Sequence, residues 1–139
     1  MLKKALIDSG PLVALFDKDD NYHQKALNFI QQNKFILYSN LAVVTETFYL
    51  LQFNINVQKL FIRWIKDGAV FILDFNQIEF TNIFSLLEKY QDIKPDFADL
   101  TLVVQSEKTN IYNVATIDSD FYVYKLKNKK YFKNVFLTD

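Results

Sequence analysis

The segment of sequence that decides the fold is KPDFADLTLVVQSE, residues 94–107. After Pro95 it predicts a helix, because acids in the first turn suit the helix dipole and the face that follows is too apolar for a surface. Asp99 lies between Ala98 and Leu100, near the predicted core, where a carboxylate is costly unless a positive charge meets it. A satisfied helix cap is the ordinary explanation for one such acid.

Three further segments each bring an acid out of an apolar run, and they change the interpretation of Asp99. Asp8 and Asp118 each end a predicted strand, and Glu46 lies within an apolar helical stretch. A buried cluster of carboxylates in a soluble domain indicates a cation. The four acids together therefore predict a metal site.

Length and composition predict one packed domain over residues 1–139. Half of the 139 residues are hydrophobic and 17% are aromatic, which favours a core over disorder. The absence of cysteine excludes disulfides and cysteine-based zinc sites. His23 is the only histidine, and we expect it to serve packing or a local hydrogen bond. No apolar run reaches the roughly 18 residues of a membrane span, so we expect a cytoplasmic protein without a membrane partner.

The net charge is zero, from 16 basic and 16 acidic residues, but the basic residues are unevenly distributed along the chain. Within residues 122–133, aromatic residues alternate with a group of lysines that includes Lys125, Lys127, Lys129 and Lys130. RNA is often held by cations on its phosphates and rings on its unstacked bases. The segment therefore predicts RNA binding, with a solvated surface hairpin as an equal alternative.

Apolar runs and helical patterns alternate along the chain. We predict strands at residues 5–7, 35–38, 69–73, 111–117 and 132–137. We predict helices at residues 12–16, 22–32, 41–51, 57–66, 76–90 and after Pro95. This alternation indicates an α/β fold with a central, mostly parallel sheet flanked by helices. Sites in such sheets form outside the carboxyl ends of the strands, which is where Asp8 and Asp118 are expected.

The chemistry of an all-carboxylate site is that of a hard cation. Oxygen ligands suit Mg²⁺ or Mn²⁺ rather than zinc. One or two such ions lower the pKa of a water molecule and stabilise in-line displacement at phosphorus, so hydrolysis of phosphodiesters or phosphomonoesters is expected. A haloacid-dehalogenase-like phosphatase would need a second Asp two residues after Asp8, where this chain has Gly10.

Four motifs follow one another in a fixed order over nearly the whole chain. They are LIDSGPLVAL at 6–15, VTE at 44–46 with YLL at 49–51, DFADL at 96–100 with LVV at 102–104, and ATIDSDF at 115–121. As an ordered set they resemble the PIN-domain ribonucleases of the VapC toxin type. Leu100 departs from the small residue that is common after the third acid of that family.

The resemblance implies a compact PIN-like α/β domain with divalent-metal-dependent endoribonuclease activity on structured RNA, often tRNA. It also implies a homodimer and inhibition by a small antitoxin protein whose tail occupies the acidic groove. Asp8 and Asp99 would be the primary metal ligands, completed by Glu46 and Asp118. Asp120 competes with Asp118 for the fourth position.

The resemblance also assigns supporting roles. Ser9 and Thr116 would orient ligands or a water molecule, and Asp96 has helix capping as its ordinary role. Two alternatives remain beside the toxin: a PIN-like RNA-processing nuclease without an antitoxin, and a catalytically inactive PIN-like RNA- or protein-binding module. Intact acids at all four positions argue against the inactive module.

Overall fold

Five short strands form one parallel sheet in the computed structural model, which describes residues 2–138. The strands are β1 (Lys3–Ile7), β2 (Phe35–Ser39), β3 (Phe71–Ile72), β4 (Asn113–Ala115) and β5 (Lys133–Asn134). Their order in the sheet is β3-β2-β1-β4-β5, and every neighbouring pair is parallel. The central strand β1 is therefore flanked by β2 and β4.

Six α-helices connect these strands within residues 2–138. They are α1 (Ser9–Phe16), α2 (His23–Gln32), α3 (Leu41–Leu50), α4 (Ile55–Lys66), α5 (Phe80–Lys89) and α6 (Phe97–Thr109). Short 3₁₀ turns occupy Gln77–Glu79, Gln91–Ile93 and Ser119–Tyr122. The predicted α/β fold with a parallel central sheet is confirmed. Among residues 2–138, none of the helices has the length and hydrophobicity of a membrane span.

Polar side chains fix where several helices begin. Asp8 accepts the backbone N–H of Ser9 at the start of α1, and Asn40 accepts that of Val43 at the start of α3. Asn54 accepts the N–H of Asn56 and so starts α4 at residue 55, two residues earlier than predicted. Such caps satisfy N–H groups that have no partner inside the helix.

Helix α6 lies in the interior of the molecule. Residues 98–106 are all buried, and they include the polar side chains of Asp99, Thr101, Gln105 and Ser106 as well as apolar ones. The helix packs against α3 and α5, and this position places the acid in its first turn close to the carboxyl edge of the sheet.

Several strands are shorter than predicted, because side chains take over the backbone hydrogen bonds at their ends. After β5, Asn134 Oδ1 accepts the N–H groups of Phe136 and Leu137, and this turns the chain out of the sheet. After β4, Thr116 Oγ1 accepts the N–H of Asp118. The predicted strand at 69–73 keeps only Phe71–Ile72, and the predicted helix at 76–90 begins as a 3₁₀ turn.

Candidate metal centre

Asp8 lies at the carboxyl end of the central strand, as predicted. Its backbone N–H donates to Ala115 O at 2.9 Å, which ties it to β4. Its Oδ1 accepts from the Ser9 N–H at 2.8 Å, and its Oδ2 accepts from Thr116 Oγ1 at 3.0 Å. With 4% of its surface exposed, the carboxyl group is held in one orientation.

Asp118 and Asp120 come from the turn that follows β4. The N–H of Asp118 donates to Thr116 Oγ1 at 3.0 Å, and Asp118 Oδ1 accepts the N–H of Asp120 at 2.9 Å. These two local bonds form the turn that directly follows β4. Both acids therefore lie near the carboxyl end of β4.

Asp99 is buried in the first turn of α6, with 3% of its surface exposed. The cap of this helix is Asp96, whose Oδ1 accepts the N–H of Ala98 at 2.8 Å. Capping therefore does not explain Asp99. Its Oδ2 accepts instead from the hydroxyl group of Tyr124 at 3.4 Å.

Three of these acids form a compact group. Asp99, Asp118 and Asp120 each offer a carboxylate oxygen, and the three oxygens lie within 4.8 Å of one another. The ion pairs within residues 2–138, Lys66–Asp67 and Lys108–Glu79, involve none of them.

Glu46 reaches the same region from α3. Its Oε1 accepts a hydrogen bond from the hydroxyl group of Ser9, the residue that follows Asp8. The side chain of Asp96, the residue that caps α6, also faces Glu46. Neither Asp8 nor Glu46 is part of the compact group of three. Thr116 holds Asp8 and Ser9 holds Glu46, so both acids are attached to the same edge of the sheet.

The pKa values of the acids show that the four predicted side chains act on one another. Burial raises the pKa of Asp8 to about 6, and the charges of Glu46 and Asp118 add to the effect. Burial, followed by the charge of Asp8 and the contact with Asp118, raises the pKa of Asp99 to about 10. Burial and the nearby Asp96 also raise the pKa of Glu46. Like charges thus converge here.

The residues present fit a hard divalent cation. All candidate donors are carboxylate oxygens, which is the ligand type that Mg²⁺ and Mn²⁺ prefer. Mutual repulsion and burial disfavour ionisation of these acids in the protein alone, and a bound cation would relieve both.

A solved structure shares this architecture. The crystal structure of Mycobacterium tuberculosis VapC20, described as a Sarcin-Ricin loop cleaving toxin, superposes with a TM-score of 0.78. The match covers 86% of this chain and 94% of that chain. The chain has the fold of a VapC toxin. At 17% identity the likeness concerns the fold alone, and no family model and no curated protein matches the sequence.

In this VapC-like fold, the lysine-rich segment forms a hairpin. Lys125 pairs with Tyr131 in an antiparallel bridge, and Leu126 N–H donates to Lys130 O at 2.8 Å. The N–H of Lys127 donates to Glu107 Oε1 at 2.7 Å, which attaches the hairpin to α6. Lys125, Lys127, Lys129 and Lys130 are all exposed. The predicted hairpin is confirmed, and RNA binding by it stays a prediction.

Two contacts at the acidic site were not predicted from the sequence. Tyr124 belongs to the segment 122–133 that is predicted to bind RNA, but its side chain is fully buried and contacts Asp99. Asp96 was assigned a capping role only, and it also faces Glu46. The local hydrogen bond expected of His23 is present, between its Nδ1 and Ala14 O at 2.7 Å.

Proposed function

We propose that this protein is a divalent-metal-dependent endoribonuclease that hydrolyses RNA phosphodiester bonds as the toxin of a toxin–antitoxin pair. The observation that carries the proposal is the convergence of Asp8, Glu46, Asp99 and Asp118 at one sheet edge of a VapC-like fold. Burial and the charges of neighbouring acids raise the pKa values of Asp8 and Asp99, which supports a site that binds a cation.

Asp8, Asp99 and Asp118 would hold the ion, Mg²⁺ or Mn²⁺. When bound, the ion supplies activation of a water molecule and neutralises charge at the scissile phosphate. Asp8 keeps its orientation through Ser9 and Thr116, so its carboxylate is positioned before any ligand arrives.

Glu46 is the candidate general base. Ser9 donates to its Oε1 and Asp96 contacts the same carboxyl group, and as a carboxylate Glu46 would accept a proton from the attacking water. Its raised pKa brings the group closer to the pH at which such a transfer is efficient. Its partial exposure is consistent with access for a substrate.

Between the two acids of the last turn, we assign the ligand role to Asp118. The charge of Asp118 raises the pKa of Asp8, Glu46 and Asp99, so its carboxylate faces all three. Asp120 belongs to the compact group with Asp99 and Asp118 and is the alternative ligand.

Structured RNA is the proposed substrate. Two classes are natural candidates: tRNA, from the family resemblance, and the sarcin–ricin loop of ribosomal RNA, which VapC20 cleaves. The exposed lysines of the hairpin would contact phosphates. The proposed protein partners are a second copy of the chain and a small antitoxin.

Cleavage assays test the proposed function. Freshly purified protein, stripped with EDTA, would be incubated with a tRNA pool and with a sarcin–ricin loop oligonucleotide, with and without Mg²⁺ or Mn²⁺. We expect cleavage of at least one RNA only when the metal is present. Equal cleavage with EDTA and with Mg²⁺ would contradict the metal dependence, and intact RNA under every condition would contradict the nuclease.

A further inference from the structure

Tyr124 has a fully buried side chain whose hydroxyl group reaches the acidic site. None of its surface is exposed, and among described residues the hydrogen-bond partner of its hydroxyl is Asp99 Oδ2, at 3.4 Å. A buried hydroxyl without a partner is costly. The contact with Asp99 is therefore the one that satisfies this group.

Two aromatic neighbours fix the ring of Tyr124. Tyr90 packs against it edge to face with ring centroids 5.2 Å apart, and Phe121 does the same at 5.4 Å. The hydroxyl of Tyr90 accepts the N–H of Lys125 at 2.7 Å, which holds the backbone directly after Tyr124. Phe121 itself follows Asp120. The phenol therefore approaches Asp99 from a position that is set on both sides.

The chemistry of this contact is that of a donor to a carboxylate. A hydroxyl that donates to one oxygen limits rotation of the carboxyl group. One carboxylate oxygen of Asp99 lies within 4.8 Å of carboxylate oxygens of Asp118 and Asp120, so limiting the rotation of Asp99 keeps this group together. A carboxyl group held in one direction is positioned for a cation before the cation arrives.

We propose that Tyr124 is a positioning residue that orients Asp99 for the divalent cation. This inference rests on the proposed function, since it concerns the same site. Tyr124 acts through Asp99 and does not itself contact the ion or the RNA.

Binding of Mn²⁺ to Tyr124→Phe tests this role without any cleavage assay. The variant keeps the ring and its contacts with Tyr90 and Phe121 and removes only the hydroxyl group. The matched control is Tyr122→Phe, from the same segment, whose hydroxyl contacts Asn134 and none of the acids. The dissociation constant of Mn²⁺ would be measured by electron paramagnetic resonance of the free ion, and the melting temperature in EDTA would be measured beside it.

We expect the dissociation constant of Tyr124→Phe to rise about tenfold or more, as is typical of residues behind metal ligands. Tyr122→Phe should stay within about twofold of the wild type, and the melting temperature of Tyr124→Phe in EDTA should stay near that of the wild type. An unchanged dissociation constant for Tyr124→Phe, whatever its melting temperature, overturns the positioning role and leaves the proposed function intact. If the wild type itself binds no Mn²⁺, both the proposed function and this inference fail.

A second measurement covers the case in which Tyr124→Phe does not fold. Protein carrying 3-fluorotyrosine at position 124 would be titrated with Mg²⁺ and followed by fluorine NMR. We expect the resonance to shift with the occupancy of the site, because the hydroxyl then donates to a carboxylate bound to the ion. A resonance that stays fixed at saturating Mg²⁺ overturns the inference.

Discussion

The hydroxyl group of Thr116 donates to Asp8 Oδ2 at 3.0 Å, so the residue that follows β4 holds the acid that follows β1. The hydroxyl oxygen of Thr116 also accepts the N–H of Asp118 at 3.0 Å. One fully buried threonine therefore connects the first and the last of the predicted acids. Because β1 and β4 are parallel neighbours, their ends meet at this edge.

Replacing this threonine should cost stability as well as alignment. Thr116→Val keeps the shape but leaves Asp8 without one donor and the N–H of Asp118 without its acceptor. We expect the free energy of unfolding to fall by roughly 1–3 kcal/mol, measured by urea denaturation in EDTA. Thr47→Val is the control, because the Thr47 hydroxyl bonds only to Val43 O within α3, and its loss should be smaller. Equal losses of unfolding free energy in the two variants would show that the Thr116 contacts stabilise the protein no more than a hydrogen bond within a helix does.

The sequence was sufficient for those parts of the site that depend on local pattern. Asp8 and Asp118 follow apolar runs and precede turn signals, so their positions at strand ends could be predicted. The strand lengths could not, since Thr116 and Asn134 replace backbone partners with side-chain oxygens. The contact between Tyr124 and Asp99 spans 25 residues and depends on the packing of α6, which no local pattern shows.

The stability of the metal-free protein should fall as the pH rises. The pKa of Asp8 is raised from 3.8 to about 6, and that of Asp99 from 3.8 to about 10. Between pH 3.8 and the raised pKa of each group, the folded state holds a proton that the unfolded state has lost. Unfolding then releases protons, and each such proton lowers stability by up to about 1.4 kcal/mol per pH unit.

Urea denaturation in EDTA at pH 5 and at pH 8 measures this effect. We expect the wild type to lose more stability over this range than Asp99→Asn, in which that carboxyl group no longer titrates. Identical pH profiles for the two proteins would show that Asp99 is not destabilised by its acidic neighbours.

The two acids of the last turn should differ in their effect on metal binding. Asp118→Asn should weaken Mn²⁺ binding more than Asp120→Asn does, because the Asp118 charge acts on Asp8, Glu46 and Asp99. Titration calorimetry of both variants, with the wild type as reference, measures the difference. The reverse order would assign the ligand role to Asp120.

The lysine hairpin should contribute to RNA affinity through phosphates. Replacing both Lys127 and Lys130 with alanine is expected to reduce the slope of log affinity against log salt concentration by about 1–2, because fewer counterions are released. Lys3→Ala with Lys34→Ala removes the same charge from the amino ends of β1 and β2, at the opposite edge of the sheet, and should change the slope less. Fluorescence anisotropy in EDTA, where no cleavage is expected, measures both. Equal slopes for the wild type and the hairpin variant would leave the segment as a solvated hairpin.

The effect of Mg²⁺ on the melting temperature of the wild type and of Asp99→Asn tests the proposed metal centre most directly. Asp99→Asn preserves shape and removes a carboxyl group that the folded, metal-free protein can hold only in its protonated form, so in EDTA it should melt at the wild-type temperature or higher. Mg²⁺ at about 100 times its dissociation constant should raise the wild-type melting temperature by on the order of 5–10 °C, and should raise that of the variant much less. A variant that is destabilised by roughly 1–3 kcal/mol in EDTA and responds to Mg²⁺ as the wild type does would contradict the metal centre and return Asp99 to a structural role.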